Sequence, residues 1–132
     1  GTIIWMGGPT YLARHCVPVI GDAASAAGRP APRVVAGLPI CVTDDADSAR
    51  RHASDIFARY GQLPSYRAVL DLDGSAGPED VAIIGNEAEL WDRLAGLAAA
   101  GVTDFNPSVF AAPGAGAERT VAFLRGAARA AN

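Results

Sequence analysis

The sequence predicts an α/β domain built on a parallel sheet. Two runs, the continuously apolar 2–6 and the largely apolar 33–42, are rich in β-branched residues, as strands buried on both faces are. A third run at 102–110 also has β-branched residues and, like 33–42, carries a proline. Stretches with helical spacing separate the three runs. Strands that alternate with helices lie parallel, because each return to the same end of the sheet needs a crossover. A chain of 132 residues is long enough for one domain, 1–132, with a core of its own.

The elements are justified in chain order. Thr2-Ile3-Ile4-Trp5-Met6 is the first strand. Gly7-Gly8 ends it, and Pro9 opens a helix over 9–27, since a first turn leaves that amide free anyway. Leu12, Cys16, Val19 and Ile20 share one face of this helix, and Pro18 predicts a kink or break near His15. Gly28 ends it. Strand 33–42 contains Pro39, which should make its C-terminal half irregular. Asp44 or Asp45 caps a helix over 45–60, with Ala49, Ile56, Phe57 and Tyr60 on its apolar face. Residues 61–80 break the pattern and read as an insertion: a short helix from Pro64 to Leu72, then a loop of Gly, Ser and Pro. Asn86, with Glu87 and Glu89 after it, caps a helix over 87–100 with Leu90, Trp91, Leu94, Leu97 and Ala98 as its stripe. After strand 102–110, a last helix runs from Glu118 to Ala131. Three such units are too few to close a (β/α)8 barrel, which takes about 250 residues.

Composition narrows the function. Net charge is −3, and the eleven basic residues, all arginine, form no footprint for nucleic acid. No apolar run approaches the roughly 20 residues of a membrane helix, and no basic leader precedes the first strand, so the expected location is cytoplasmic. Cys16 and Cys41 sit in apolar surroundings with no second ligand at metal spacing, which predicts buried free thiols and no metal.

In α/β sheets, ligands bind at the C-terminal ends of the strands, where Gly7-Gly8 lies. Glycines let a ligand approach the backbone, and the amides of the helix start can face an anion. The same residues also suit a plain strand-to-helix turn. The cluster Asp44-Asp45-Ala46-Asp47 reads as a cap and a solvated helix start. Asp71 and Asp73 flank a loop that lacks the rest of a calcium pattern. His52, beside Arg50 and Arg51, reads as a solvated side chain. No dinucleotide fingerprint, phosphate loop, nucleophile elbow or zinc motif is present.

Five segments in order, GTIIWMGGPTYLARHCVPVI, AGRPAPRVVAGLPICVTDDADSAR, YGQLPSYRAVLDLDG, PEDVAIIGNEAEL and AAAGVTDF, resemble the C-terminal part of luciferase-like flavin oxidoreductases. The flavour is that of the actinobacterial class that uses the deazaflavin coenzyme F420. The resemblance implies a TIM (β/α)8 barrel of which this chain supplies the C-terminal three βα units, strands six to eight, with an insertion at 44–80 after the second strand present. It implies a chain that begins in mid-barrel, with the catalytic side chains and the phosphate-binding turn in the missing N-terminal part. It implies Met6, Gly7 and Gly8 at the cofactor, and Trp5, Leu38, Pro39 and Ile40 on the substrate pocket. Tyr60, Tyr66 and Arg67 of the insertion would shape its entrance. The implied activity is hydride transfer between F420, or FMN as the alternative, and a small organic substrate. Gly8 stands one residue before the helix-start Pro9 where relatives often have Thr-Gly-Pro, so one hydroxyl contact is absent. The competing reading is a non-catalytic partial barrel that self-associates, as a homo-oligomer, or needs its N-terminal half.

Overall fold

The computed structural model describes residues 1–130. Its sheet has four strands, all parallel: β1 (Thr2–Trp5), β2 (Val34–Val42), β3 (Ile83–Gly85) and β4 (Asp104–Val109). β2 is the centre. On one edge it pairs β4 from Val35↔Asp104 to Ile40↔Val109. Its other edge is shared: β1 takes Val34 to Gly37, and β3 takes Ile40 to Val42.

Pro39 explains that sharing. The Ile40 carbonyl accepts from Phe110 and the Gly37 carbonyl from Met6, so amides of even-numbered β2 residues face β4 and those of odd-numbered residues face the other edge. The missing N–H of Pro39 therefore points into the interval between β1 and β3, where no partner strand runs. The irregularity expected within β2 is absent; the strand is continuous and its neighbour is interrupted instead. By the same alternation, Pro107 directs its nitrogen away from β2, onto an outer edge that tolerates it.

The helices are α1 (Pro9–Tyr11), α2 (Val17–Ala26), α3 (Ala46–Ile56), α4 (Ala58–Gln62), α5 (Pro64–Asp73), α6 (Pro78–Val81), α7 (Glu87–Ala99) and α8 (Ala117–Ala130). A π-turn, Leu12–Cys16, joins α1 to α2, with the Val17 amide donating to the Leu12 carbonyl. It is the break that Pro18 predicts: proline cannot supply the next amide, and the ladder absorbs an extra residue. An extra residue rotates the remainder of the helix by about 100°. Leu12 and Cys16 are accordingly buried, whereas Val19 rotates out to 63% exposure. The helix expected over 45–60 divides at Phe57 into α3 and α4.

Caps are set by local side chains. Asp45 accepts from the Ser48 amide at 3.0 Å and starts α3. Asn86 and Glu89 form a reciprocal capping box on α7, at 3.1 and 2.8 Å. Gly101, at φ +92°, ends α7 in the left-handed region. α6 and β3 are elements that the sequence patterns do not predict. The described part of the last helix ends at Ala130, and Ala131 lies outside the described residues.

The even-numbered face of β2 (Val34, Ala36, Leu38, Ile40, Val42) packs against Leu12, Leu70, Leu90, Leu97 and Phe123 from the helices. The Val42 amide, inside this layer, donates to the Thr120 hydroxyl at 2.9 Å. The odd-numbered face carries Val35, Gly37, Pro39 and Cys41. Toward its C-terminal end it is covered by Ala49 and Ala53 of α3, with Phe57 and Phe110. Cys16 and Cys41 are both buried and free, and burial pushes both thiols up from their ordinary value. Among the described residues no helix is long and apolar enough to cross a membrane.

Candidate functional site

The C-terminal end of β1 holds the least relaxed backbone among the described residues. Met6 sits at φ +62°, the only non-glycine residue in the left-handed region among those described. Such a residue costs of order 1–3 kcal/mol and persists only where its surroundings fix it. Here the Met6 amide donates to the Gly37 carbonyl at 3.0 Å, and the side chain is fully buried in the core.

Gly7 and Gly8 are needed for close approach, because neither has a positive φ. A Cβ on Gly7 would lie 2.6 Å from Ile4 Cγ2. A Cβ on Gly8 would collide with the carboxylate of Asp73, at the end of α5. That carboxylate accepts from the Tyr11 amide at 2.8 Å and from the Ser75 hydroxyl at 2.7 Å. The anion at the start of α1 is thus one of the chain's own side chains. Local sequence does not single out Asp73, because the contact spans 62 residues.

Trp5 stands over Gly37, where an added Cβ would meet Trp5 Cε3 at 3.1 Å. Around it the insertion builds an aromatic cluster. Tyr60 meets Trp5 edge-on at 5.8 Å, Tyr66 meets Tyr60 at 5.0 Å, and Phe57 meets Phe110 at 5.6 Å. His52 lies against Phe110 at 6.5 Å and is half-buried, not the solvated side chain expected. Trp5 Nε1 is buried and has no hydrogen-bond partner among the described residues.

The other expected site residues separate by face. Pro39 shares the face of Gly37. Leu38 and Ile40, fully buried, point the other way into the helix-packed core, where a ligand on the Trp5 side does not reach them. Arg67 is spent locally: Nε donates to Asp71 at 2.8 Å, and its two terminal nitrogens donate to the Ala76 and Ser75 carbonyls at 2.8 and 2.7 Å. It ties down the loop after α5.

At the rim beyond β2 and β4, Arg119 of α8 bridges Glu87 and Asp44, with contacts of 2.7 to 3.1 Å. Hydrogen bonding to Arg119 holds the Glu87 carboxyl down to about 2 and lowers that of Asp44. A groove of about 440 Å³ passes this bridge, between Thr43 and Gly114. With two carboxylates on one guanidinium, it offers no uncompensated positive charge. A groove of about 700 Å³ lies at the opposite end of the sheet, beside Thr2, Ala24 and Arg33, away from the strand ends that bind ligands in α/β folds.

No family model and no curated protein matches the chain. Among solved structures, its fold is similar to an F420-dependent secondary alcohol dehydrogenase in complex with an F420-acetone adduct, with a TM-score of 0.62 and 16% identity. The likeness covers 81% of this chain and 36% of that one, so the chain spans about a third of the dehydrogenase, and at this identity what the two share is the fold.

Proposed function

We propose that the chain is the C-terminal part of a luciferase-like (β/α)8 barrel, and that it forms one wall of a site for hydride transfer between coenzyme F420 and a small organic substrate. The observation that carries this reading is the shared fold with an F420-dependent dehydrogenase. β1, β2 and β4 stand side by side in the order of three consecutive barrel strands. Among the described residues the outer edges of β1 and β4 are unpaired, where further parallel strands would continue the sheet.

The residues present fit the ring portion of such a cofactor or its substrate. Trp5 offers a buried N–H that lacks an acceptor among the described residues, Met6 holds a strained turn beside it, Tyr60 packs on the indole and Tyr66 packs on Tyr60. When bound, the deazaflavin would supply or accept the hydride. The chain's own residues exclude water and orient the ligand through the Trp5 N–H. Gly7 and Gly8 let Ile4 and the Asp73 carboxylate pack close behind this wall; Pro39, Leu38 and Ile40 are buried and support it from within the sheet.

A direct test is titration of F420, with FMN in parallel, while Trp emission is monitored. Saturable quenching that weakens in Trp5→Phe supports the reading. No binding, either by the chain alone or after addition of an N-terminal half, overturns it. A second reading, self-association without catalysis, is favoured by one observation: Ile3, on the uncovered face of β1, is 67% exposed. It predicts concentration-dependent oligomers in sedimentation velocity and no cofactor binding.

A further inference from the structure

We infer that the Gly7-Gly8-Pro9 turn is an internal docking socket and that Asp73 is the positioning residue of the proposed ligand wall. The sequence makes this turn look like a seat for a ligand's anionic group. The structure fills that seat with the Asp73 carboxylate, held by the Tyr11 amide at 2.8 Å and the Ser75 hydroxyl at 2.7 Å. Gly8 is the complementary half, since any Cβ there would occupy the carboxylate's place. A second clasp prevents the Asp73 loop from swinging away: Arg67 holds Asp71, Ser75 and Ala76 together on the same helix end. The two clasps fix α5 beside α1, and α5 carries Tyr66, which packs on Tyr60 and through it on Trp5. A ligand on this wall therefore meets aromatic rings and the Trp5 N–H with an uncharged, planar part, and its anionic groups bind elsewhere. This last step rests on the proposed function; the docking itself does not.

The test needs no ligand, so its failure is distinct from failure of the proposed activity. Amide hydrogen exchange in the 132-residue chain is measured at Tyr11, with Leu12, which donates to the Gly8 carbonyl, as the internal control. Asp73→Ala should speed Tyr11 exchange by about tenfold or more, the loss of one hydrogen bond to a charged acceptor, while β2 amides stay protected. Gly8→Ala should give the same loss, and the double variant no more than either single one. Asp73→Asn, which keeps an acceptor oxygen, should restore most of the protection. In a Trp91→Phe background, Trp5 emission should shift to the red in Asp73→Ala and return in Asp73→Asn. Unchanged Tyr11 exchange in Asp73→Ala, or effects of Gly8→Ala and Asp73→Ala that simply add, would overturn the inference. If Asp73→Ala does not fold, Asp73→Asn and Ser75→Ala decide the point: protection kept in the first and reduced in the second supports the socket, and equal exchange in both overturns it.

Discussion

On one face of the sheet, Val34, Ala36, Leu38, Ile40 and Val42 meet helices and are at most 2% exposed. On the other, Ile3 stands in solvent and Val35 is half-buried, whereas Gly37, Pro39 and Cys41, nearer the C-terminal end where Trp5 and α3 lie, are buried. Adjacent residues of the same strands thus serve two different environments. The first face is closed by elements of this chain. The second mixes aromatic rings, an indole N–H without an acceptor and bare apolar surface. Its residues suit contact with something further, whereas those of the first suit only each other.

The sharpest way to break this comparison is Leu38→Ala. It opens a cavity in the closed face and should cost about 2–5 kcal/mol in denaturant unfolding; a loss under about 1 kcal/mol would mean that this face is not the core. Next comes Pro39→Ala. Replacing a strand-centre proline commonly helps, but here it would add a buried N–H that faces the interval between β1 and β3. A cost of about 1–3 kcal/mol is expected, and a gain in stability would show that the interval holds an acceptor.

Acid should act later and at the rims. Hydrogen bonds to Arg119 hold Glu87 at about 2, and hydrogen bonds to Arg33 and Thr103 hold Asp104 at about 2. Folded values below the unfolded ones mean that this stabilisation is complete above about pH 4–5. It is lost as pH falls toward about 2. Both groups are solvent-facing, so the effect is small. An acid titration of Arg119→Met should lose part of the slope between about pH 4.5 and about pH 2, and an unchanged slope would remove the bridge from the account. The smallest effect belongs to Ile3→Ser, on the bare face, where stability should stay within about 0.5 kcal/mol. Its readout is sedimentation, and any concentration-dependent association should decline.

How much of this is legible in the sequence depends on range along the chain. The strands at 2–6, 33–42 and 102–110 and the Asn86 cap are local signals, and the structure has β1, β2, β4 and the α7 capping box there. Regular spacing puts Val19 inside and the structure puts it outside, because the π-turn that Pro18 induces shifts helical phase, a step that a fixed period of about 3.6 cannot register. β3 escapes because three residues, Ile83–Gly85, are too short to show a period. In the candidate site, the aromatic residues of the insertion are visible as types but not as a cluster on Trp5. Leu38, Pro39 and Ile40 are grouped by the family resemblance, which matches a whole strand, and the alternation of faces along β2 sets Pro39 apart from the other two. Asp73 is invisible for a different reason. Nothing near it in sequence announces that it docks beside Gly8 and accepts from an amide 62 residues away.

The division of one β2 edge between β1 and β3 also bears on how the chain must fold. All four strands are parallel, so no hairpin can form early and guide the rest. The first contacts available to β2 join Thr2 to Val34, Ile40 to Ile83 and Val35 to Asp104, each of which closes a long loop before any ladder is gained. β2 is the hub of all three closures. Folding should therefore be slow for a chain of this size, with a barrier governed by the order in which loops close onto one strand. Until β4 and β3 arrive, that strand offers a sticky apolar ribbon to neighbouring chains, so refolding yield should fall as concentration rises.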